Sequence, residues 1–292
     1  MKTKIRKAVI PAAGLGVRLL PATKAIPKEM LPLVNKPTIQ YIVEEAVKSG
    51  IEQILVIVSS KKTAILDHFD YDLILENALI QKNKLQEHKE IEDIANLAHI
   101  FFVRQKNQDG LGDAILFAES FVGNEDFAVL LGDDVVFSKE PALKQCLEAY
   151  YETNCQTIGV QEVDPCHVDK YGIITPEGDY KNKDLIKVLA MTEKPKPKDA
   201  KSNLAILGRY VLKPSIFKAL RSVPYGVGGE LQLTDGLNFC LKNENFYVRK
   251  FTGTRFDVGT KSGFIKANLF TALNNKDISK KEVLELLNLV KA

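Results

Sequence analysis

The residues best suited to chemistry lie in a glycine-containing loop near the start of the chain. An apolar run at residues 8–10, typical of a buried strand, leads into Gly14 and Gly16. The cations that follow are Arg18, Lys24 and Lys28. Glycine lets backbone N–H groups approach an anion closely, and fixed cations can then neutralise the anion's oxygen atoms. The strand, loop and cations together predict a phosphate-binding site.

Two familiar phosphate-binding loops do not match this segment. No glycine precedes a Lys-Ser or Lys-Thr pair at the spacing of the P-loop. Gly14 and Gly16 lead to Leu19, where the dinucleotide-binding fingerprint has its third glycine, and no acid closes a strand about twenty residues further on. A nicotinamide-dependent dehydrogenase is therefore disfavoured. For an isolated Gly-x-Gly, a plain tight turn remains the alternative.

Adjacent carboxylates end another apolar run. Asp133 and Asp134 follow residues 127–131, and successive strand residues face opposite ways, so only one of the two can easily point into the cleft of the glycine loop. We assign Asp133 to the cleft and Asp134 to a position nearer a base or ribose. Asp257 ends a second candidate strand, and two carboxylates at neighbouring strand ends would suit Mg²⁺. Solvated acids in a strand-end turn are the alternative.

Two further loops carry groups that could contact a substrate. Gln105 follows an apolar run at 100–103, and its amide could pair with a pyrimidine edge while Gly110 leaves room for the ring. A plain glycine turn explains that segment equally well. Glu193 and Lys194 place an acid beside a cation ahead of a proline, and a solvated ion pair is the alternative there.

Short apolar runs alternate with helix-like stretches along most of the chain. The runs lie at 8–10, 53–58, 100–103, 127–131, 157–160 and 246–251. This alternation predicts an α/β fold in which helices cover both faces of a mostly parallel sheet. Residues 38–49 carry a helical apolar stripe that ends at Gly50. Ligands collect at the carboxyl ends of strands in such sheets, which is where the glycine loop lies.

Three segments elaborate this core. Residues 74–99 are highly charged with a helical pattern, which is typical of a solvated insertion. Turn residues between β-branched runs at 161–210 predict short strands and hairpins layered over the main sheet. A capping box and a leucine-rich stretch from Ser279 predict an amphipathic helix used in packing or assembly. Without repeats or flexible linkers, the chain divides into one domain at 1–270 and a helical tail at 271–292.

Composition argues against several classes of protein. The chain has 292 residues, of which 45% are hydrophobic and 26% charged, as in ordinary soluble proteins. Its net charge of +3 is too small to indicate nucleic acid or a membrane as partner. The four cysteines form no Cys-x-x-Cys pair and have no histidine at metal-ligand spacing, so we expect free thiols in the cytoplasm. The basic N-terminus precedes a short strand, not an apolar signal core, and no run reaches membrane-spanning length.

Two early segments are similar to a known family signature. The string AAGLGVR at residues 12–18, followed by PKEMLP at 27–32, resembles the signature of sugar-1-phosphate nucleotidylyltransferases, and the likeness extends from Lys7 to about residue 261. The resemblance implies a Rossmann-like, mixed sheet of the glycosyltransferase-A type with an extra small β layer. It implies in-line transfer of a uridylyl group from UTP to glucose 1-phosphate with Mg²⁺, giving UDP-glucose and pyrophosphate. It also implies a homo-oligomer, either a dimer or a tetramer.

The resemblance assigns a role to each candidate residue. The reaction-site cations would be Arg18, Lys28 and Lys194. The nucleotide contacts would be Ala12, Ala13, Gly14, Gly16, Glu29, Gln105, Gly110 and Asp134. The sugar contacts would be Gly172, Glu193 and Glu230, although Glu230 could instead cap a helix, and the metal ligands would be Asp133 and Asp257. The chain departs from the family at Val17 and Asp113, where threonine and histidine are usual, and these departures bear on nucleotide affinity.

Two alternatives to uridylyl transfer remain open. One is the same chemistry with another nucleotide or sugar, such as thymidylyl transfer to glucose 1-phosphate. The other is a regulatory protein that binds a nucleotide sugar without turnover. The charged segment at 74–99 and the residues at 27–32 favour uridylyl transfer. The joint presence of Arg18, Lys28, Asp133 and Lys194 disfavours a binder that does no chemistry.

Overall fold

The computed structural model describes residues 4–289, and its centre is a nine-stranded sheet. The strands in chain order are β1 (Lys7–Pro11), β2 (Pro32–Leu33), β3 (Lys36–Pro37), β4 (Gln53–Val58), β5 (His99–Arg104), β6 (Phe127–Leu130), β7 (Asp134–Phe137), β8 (Gln156–Glu162), β9 (Gly172–Pro176), β10 (Leu185–Glu193), β11 (Leu204–Leu212), β12 (Phe246–Lys250) and β13 (Thr254–Asp257). The helices are α1 (Thr38–Lys48), α2 (Thr63–Phe69), α3 (Leu73–Gln81), α4 (Leu85–Ala95), α5 (Leu111–Leu116), α6 (Glu119–Val122), α7 (Ala142–Thr153), α8 (Ser215–Ser222), α9 (Leu233–Leu241), α10 (Lys261–Asn274) and α11 (Lys280–Leu289).

Most strands of the main sheet run in one direction. Their order is β5-β4-β1-β6-β11-β8-β12-β10-β9. The first four pair in parallel, β11 is antiparallel to both of its neighbours, β12 is parallel to β8, and β10 is antiparallel to β12 and β9. Only β11 and β10 are therefore reversed. The predicted mixed, mostly parallel α/β sheet is confirmed.

Helices cover both faces of this sheet, as the sequence predicts. Successive residues of a strand face opposite sides, so Val9 lies in one core with residues of α5, α8 and α9. Its neighbours Ala8 and Ile10 lie in the other core with residues of α1, α2 and α7. Helix α1 buries the apolar stripe read from the sequence and ends just before Gly50, whose φ of 91° no longer continues a right-handed helix.

The segment at 161–210 differs from the prediction. We expected short strands and hairpins over the main sheet, but β10 and β11 have nine residues each and belong to the main sheet itself. Every residue of β11 is buried because β6 and β8 flank it and both cores pack against it. The small additional β elements are instead the two-stranded pairs β2–β3 and β7–β13.

The charged segment and the tail are helical. Neither α3 nor α4 contains a buried residue among those described, which fits the predicted solvated insertion. Helix α10 runs through position 270, and α11 follows with the Ser279 N–H donating to the Glu282 carboxylate at 3.3 Å. Residues 290–292 and the side chains of leucines 286, 287 and 289 lie outside what the structure describes. The domain division at 270 therefore stays a prediction.

Two further features concern the cysteines and the lengths of the helices. The four cysteines are free thiols, and Cys146 and Cys240 are buried. Within residues 4–289, no helix is long and apolar enough to cross a membrane.

A buried ion pair connects four elements, α1, β7, α7 and β11. The Arg209 guanidinium, which is fully buried on β11, donates to both carboxylate oxygens of Glu45 on α1 at 2.8 and 2.7 Å. Arg209 also donates to the backbone carbonyl of Asp134 at 2.7 Å, and Glu45 accepts the N–H of Leu143 at the start of α7. The backbone beside the strand-end acids is therefore held by charge as well as by packing.

Arg209→Met is expected to destabilise the fold by about 3–5 kcal/mol, because it leaves the buried Glu45 carboxylate without its cation. The free energy of unfolding, measured by urea denaturation, checks this. The double variant E45M/R209M should recover part of the loss, since it leaves no unpaired charge. Lys84→Met, which breaks the exposed pair with Glu87, should change stability by less than about 1 kcal/mol. An equally small effect of Arg209→Met would contradict the scaffolding role.

Candidate active site

Two adjoining pockets open where the parallel strands β1, β5 and β6 end. The first, which we call the loop pocket, has a volume of about 410 Å³ and is bounded by the loop after β1 together with Lys28, Gln105 and Asp133. The second, the strand-end pocket, has a volume of about 240 Å³ and is bounded by Asp133, Glu193 and Asp257 among others. Asp133 lines both pockets, so the structure places it in the cleft of the glycine loop.

The predicted cations converge on the predicted acids at this junction. The Lys28 ammonium donates to Asp133 Oδ2 at 2.5 Å. Arg18 lies 3.8 Å from the same oxygen and 3.5 Å from Asp257 Oδ2, so it spans the two carboxylates. Burial works to raise the pKa of Asp133, but the charge and hydrogen bond of Lys28, together with the Arg18 and Arg255 charges, outweigh burial and hold that pKa below its ordinary value. Burial in turn works to lower the pKa of Lys28, and the Asp133 and Glu29 carboxylates outweigh it and raise that pKa.

The register of β7 and β13 brings the two acids together. Asp257 pairs with Asp134 across this ribbon, and Asp133 immediately precedes β7. A Cβ added at Gly259 would lie 2.6 Å from Asp133 Oδ2 and 3.1 Å from Asp257 Oδ1. The same Cβ would also lie 2.8 Å from Arg18 Nη2, so glycine at 259 lets the backbone approach the two carboxylates and the guanidinium between them.

This donor set fits Mg²⁺ in a shared site. Carboxylate oxygens are hard ligands, and Mg²⁺ commonly takes one or two of them while water and substrate phosphates supply the rest. Among residues 4–289, no group of three or more His, Cys, Asp or Glu side chains could hold a metal by itself. Asp133 and Asp257 would thus bind Mg²⁺ only together with water or a phosphate-bearing ligand.

Asp134 has a different environment from its neighbour. Its carboxylate accepts from Arg255 Nε at 2.7 Å and lies against Gly208, where a Cβ would come within 2.6 Å of Oδ2. Burial raises the pKa of Asp134, with Arg255 opposing it. Asp134 lines the strand-end pocket and not the loop pocket, so its assignment to the nucleotide stays a prediction. Arg255 was not predicted from the sequence, although it lies two positions before Asp257 on the same strand and so faces the same side.

The glycine loop lies open along one wall of the loop pocket. Ala13, Gly14 and Gly16 line it, and Gly16 has the left-handed φ of 69° that favours glycine. The Thr23 hydroxyl donates to the Gly16 carbonyl at 2.7 Å and secures this turn. Ala12 is buried, and its N–H donates to the Ile57 carbonyl at 2.8 Å, so it serves the sheet. Its predicted nucleotide contact stays untested.

Glu29 is held by a lysine that the sequence analysis overlooked. The Lys62 ammonium donates to Glu29 Oε2 at 2.6 Å, and both side chains are buried. Burial raises the pKa of Glu29 and lowers that of Lys62, and the ion pair opposes both shifts. Lys62 comes shortly after β4 ends, at the same sheet edge as the glycine loop, and that position was the available signal.

The loop after β5 is built by contacts within the protein. The buried Gln105 amide donates to Asp113 Oδ2 at 2.6 Å, so the residue that departs from the family pattern orients the predicted base-binding side chain. Gly110 has φ 112°, and a Cβ there would lie 2.6 Å from the Leu231 carbonyl oxygen. Glycine is therefore required by the close approach of the protein's own backbone. Room for a base at Gly110 stays a prediction.

The predicted sugar-binding residues divide between the two pockets. Gly172, Glu193 and Lys194 line the strand-end pocket, where the Thr234 hydroxyl, also missed from sequence, donates to Glu193 Oε2 at 2.7 Å. The Lys194 ammonium lies 3.2 Å from Glu193 Oε1 with 43% of its side chain exposed. Glu230 lines the loop pocket instead, so the structure does not group it with Gly172 and Glu193.

Comparison with known proteins identifies a family along most of the chain. A family model described as nucleotidyl transferase matches residues 7–274. A UTP–glucose-1-phosphate uridylyltransferase of Mycoplasma pneumoniae is 74% identical over 97% of this chain and 98% of its own. UTP–glucose-1-phosphate uridylyltransferase 1 of Staphylococcus saprophyticus is 51% identical over the same shares. The structure of a UTP-bound UGPase from Acinetobacter baumannii has a TM-score of 0.91 at 38% identity, covering 98% of this chain and 100% of that one. A UDP-glucose pyrophosphorylase complexed with UDP-glucose has a TM-score of 0.84 at 40% identity, covering 93% and 100%.

Lys28→Met is expected to destabilise the fold by about 1–3 kcal/mol near neutral pH, because Asp133 loses its nearest cation. In the wild type, the lowered pKa of Asp133 contributes stability at pH values above the ordinary carboxyl pKa of about 4. That contribution is lost as the pH falls through the pKa that Asp133 has in the folded protein. Without Lys28, the pKa of Asp133 rises, because only the Arg18 and Arg255 charges then oppose the effect of burial, so protonation of Asp133 relieves the variant. The difference between the two should narrow from about pH 7 to about pH 4.

Urea denaturation across that pH range measures the difference directly. Lys82→Met, at an exposed position on the insertion, is the matched control and should follow the wild type at every pH. A Lys28→Met deficit that stays constant with pH would show that Asp133 does not depend on Lys28.

Proposed function

Because the chain belongs to the nucleotidyl transferase family, we propose that it transfers a uridylyl group from UTP to glucose 1-phosphate, forming UDP-glucose and pyrophosphate. The observation that carries this proposal is its 74% identity, over nearly the whole chain, to a relative named for that activity. The structural support is the convergence of Lys28 and Arg18 on Asp133 where two pockets meet. Two substrates that must react with each other need two adjoining sites of this kind.

The two pockets divide the substrates between them. UTP occupies the loop pocket, with its base toward Gln105 and its phosphates along Gly14 and Gly16, whose backbone can approach an anion closely. Glucose 1-phosphate occupies the strand-end pocket, where Glu193 accepts hydrogen bonds from sugar hydroxyls and Lys194 binds the phosphate. Gly172 supports this division, since a side chain there would crowd Glu193 and Thr234 at 3.2 Å.

The reaction is an in-line displacement that needs no covalent intermediate on the protein. An oxygen of the sugar phosphate forms a bond to the α-phosphorus of UTP while the bond from that phosphorus to the β-phosphate oxygen breaks. Lys194 aligns the nucleophile and screens its repulsion from the triphosphate. Lys28 and Arg18 neutralise the charge that builds up on the departing pyrophosphate. Catalysis therefore comes from positioning and charge neutralisation.

Asp133 and Asp257 are the residues that would hold Mg²⁺. The ion would supply further neutralisation of phosphate oxygens when bound. The protein's own contribution is to hold both carboxylates beside Gly259, where the cations Lys28 and Arg18 keep the pKa of Asp133 below its ordinary value. A bound triphosphate offers those cations a second anionic partner.

We further propose that the protein acts in the cytoplasm as a homo-oligomer. Large apolar side chains on α3 support assembly, since Leu73 and Ile74 are 67% and 86% exposed. Sedimentation that finds only monomer at micromolar concentration would contradict it.

The direct test is pyrophosphate release measured with four nucleoside triphosphates and several sugar 1-phosphates, with Mg²⁺ and with a chelator. We expect UTP with glucose 1-phosphate to be the best pair and the chelator to abolish turnover, because the phosphate charge would lack an ion on Asp133 and Asp257. Faster turnover with a thymidine nucleotide would favour the alternative specificity. Absence of turnover with every pair would contradict the enzyme assignment.

Lys194→Ala is expected to lower kcat/KM for glucose 1-phosphate at least about tenfold, because the nucleophile loses a charged hydrogen bond that holds and aligns it. Affinity for UTP, titrated without the sugar, should stay close to wild type. Lys196→Ala, at an exposed lysine nearby, is the control and should be silent. Loss of UTP binding in Lys194→Ala would place this lysine on the nucleotide side.

A further inference from the structure

The Gln105 side chain has little freedom to move where it lines the loop pocket. Only 3% of the residue is exposed, and its backbone N–H donates to the carbonyl of Val58, the last residue of β4, at 2.9 Å. An amide carries a donor at Nε2 and an acceptor at Oε1. What Gln105 offers a ligand therefore depends on which end of its amide is left for the pocket.

The Asp113 carboxylate selects one of the two orientations of this amide. Gln105 Nε2 donates to Asp113 Oδ2 at 2.6 Å. An ionised carboxylate has acceptor oxygens only, so it can pair with Nε2 but not with Oε1. Turning the amide over would set two acceptor oxygens against each other beside a buried side chain, which is unfavourable. The donor end is thus committed to Asp113.

Asp113 is itself held in place by the backbone around it. It lies in the first turn of α5, where the helix dipole favours a carboxylate. The neighbouring Gly112 N–H donates to the Leu231 carbonyl at 2.8 Å, and a Cβ at Gly112 would lie 2.7 Å from that oxygen. Asp113 does not line the loop pocket, whereas Gln105 does. Asp113 therefore acts on a ligand through Gln105, as a positioning residue.

The remaining end of the amide distinguishes the edges of pyrimidine bases. Among residues 4–289, no group donates a hydrogen bond to Gln105 Oε1, so this acceptor is left for a ligand. Uracil has a donor, N3–H, between two acceptor carbonyls, whereas N3 of cytosine is an acceptor beside a donor amino group. An acceptor opposite N3 hydrogen-bonds to uracil and repels cytosine. The reversed amide would have the opposite preference.

We propose that Asp113 makes the protein prefer uracil to cytosine, because it fixes the Gln105 amide with its acceptor oxygen toward the base. This inference rests on the proposed function, which places the base of UTP against Gln105. A site that leaves a buried polar group facing the wrong partner rejects that ligand strongly. Thymine presents the same O4, N3–H and O2 edge as uracil, so Asp113 does not separate these two bases.

Calorimetric titration of UTP and of CTP into the full chain, at fixed Mg²⁺ and without sugar, tests the proposal. The quantity compared is the Kd for CTP divided by the Kd for UTP. We expect Asp113→Asn to lower this ratio by about tenfold or more, the equivalent of one hydrogen bond. The introduced amide can donate as well as accept, so it no longer holds Gln105 in one orientation.

Two controls separate base selection from a general disturbance. Thymidine triphosphate should keep its affinity relative to UTP within about twofold in Asp113→Asn, because its base has the uracil edge. Asp93→Asn, which removes an exposed carboxylate from the insertion, should leave all three affinities within about twofold of wild type. Asp113→Ala supplies a second variant and should also lower the ratio, since it leaves the amide free to turn.

Two outcomes would overturn the inference. A ratio within about twofold of wild type in Asp113→Asn and Asp113→Ala, even with all nucleotides bound more weakly, would reduce Asp113 to a structural role. A wild type that binds CTP as tightly as UTP would leave Asp113 no preference to set. Neither result removes the pyrophosphate release on which the proposed function depends. Should the wild type release no pyrophosphate, the proposed function fails, and the titrations still test Asp113.

Discussion

The active site depends on how the protein compensates the Asp133 carboxylate. This group lies at the end of β6 with 18% of its side chain exposed, and burying a carboxylate without a partner is strongly unfavourable. Lys28 and Arg18, both from the segment after β1, supply the compensation. Forming these ion pairs therefore also fixes the segment that carries the phosphate-binding loop. Arg18 extends the arrangement to Asp257, so three distant parts of the chain share one charge cluster.

The scaffold beneath this cluster also compensates its buried charges with ion pairs. Arg209 and Glu45 form a buried ion pair, and Arg209 also donates to the backbone carbonyl of Asp134. The Asp134 carboxylate in turn pairs with Arg255. Acids and cations at the junction of the two pockets are thus already partnered before substrate binds. A phosphate group that binds here replaces carboxylates as the partner of these cations. This replacement costs less free energy than burying a charged group in a cavity that offers it no partner.

Local sequence patterns predicted the frame that carries the site. The buried strands, the helix α1 with its stop at Gly50, and the glycine loop after β1 all follow from periodicity and backbone preferences. The same patterns misjudged the segment at 161–210, because β-branched runs and turns indicate strands but not the strands they pair with. β11 enters the centre of the sheet through pairing with β6 and β8, which are far from it in the chain.

The sequence by itself determined which side chains follow each strand, and because parallel strands end at one edge, it also determined that Arg18, Lys28, Gln105 and Asp133 would lie near one another. Only the tertiary structure decided their partners. That Lys62 would hold Glu29, that Asp113 would hold Gln105 and that Arg255 would take Asp134 depends on distances of a few ångströms between separate elements. Hydrogen bonds and ion pairs fall off sharply over such distances, so they are set by packing and register rather than by spacing along the chain.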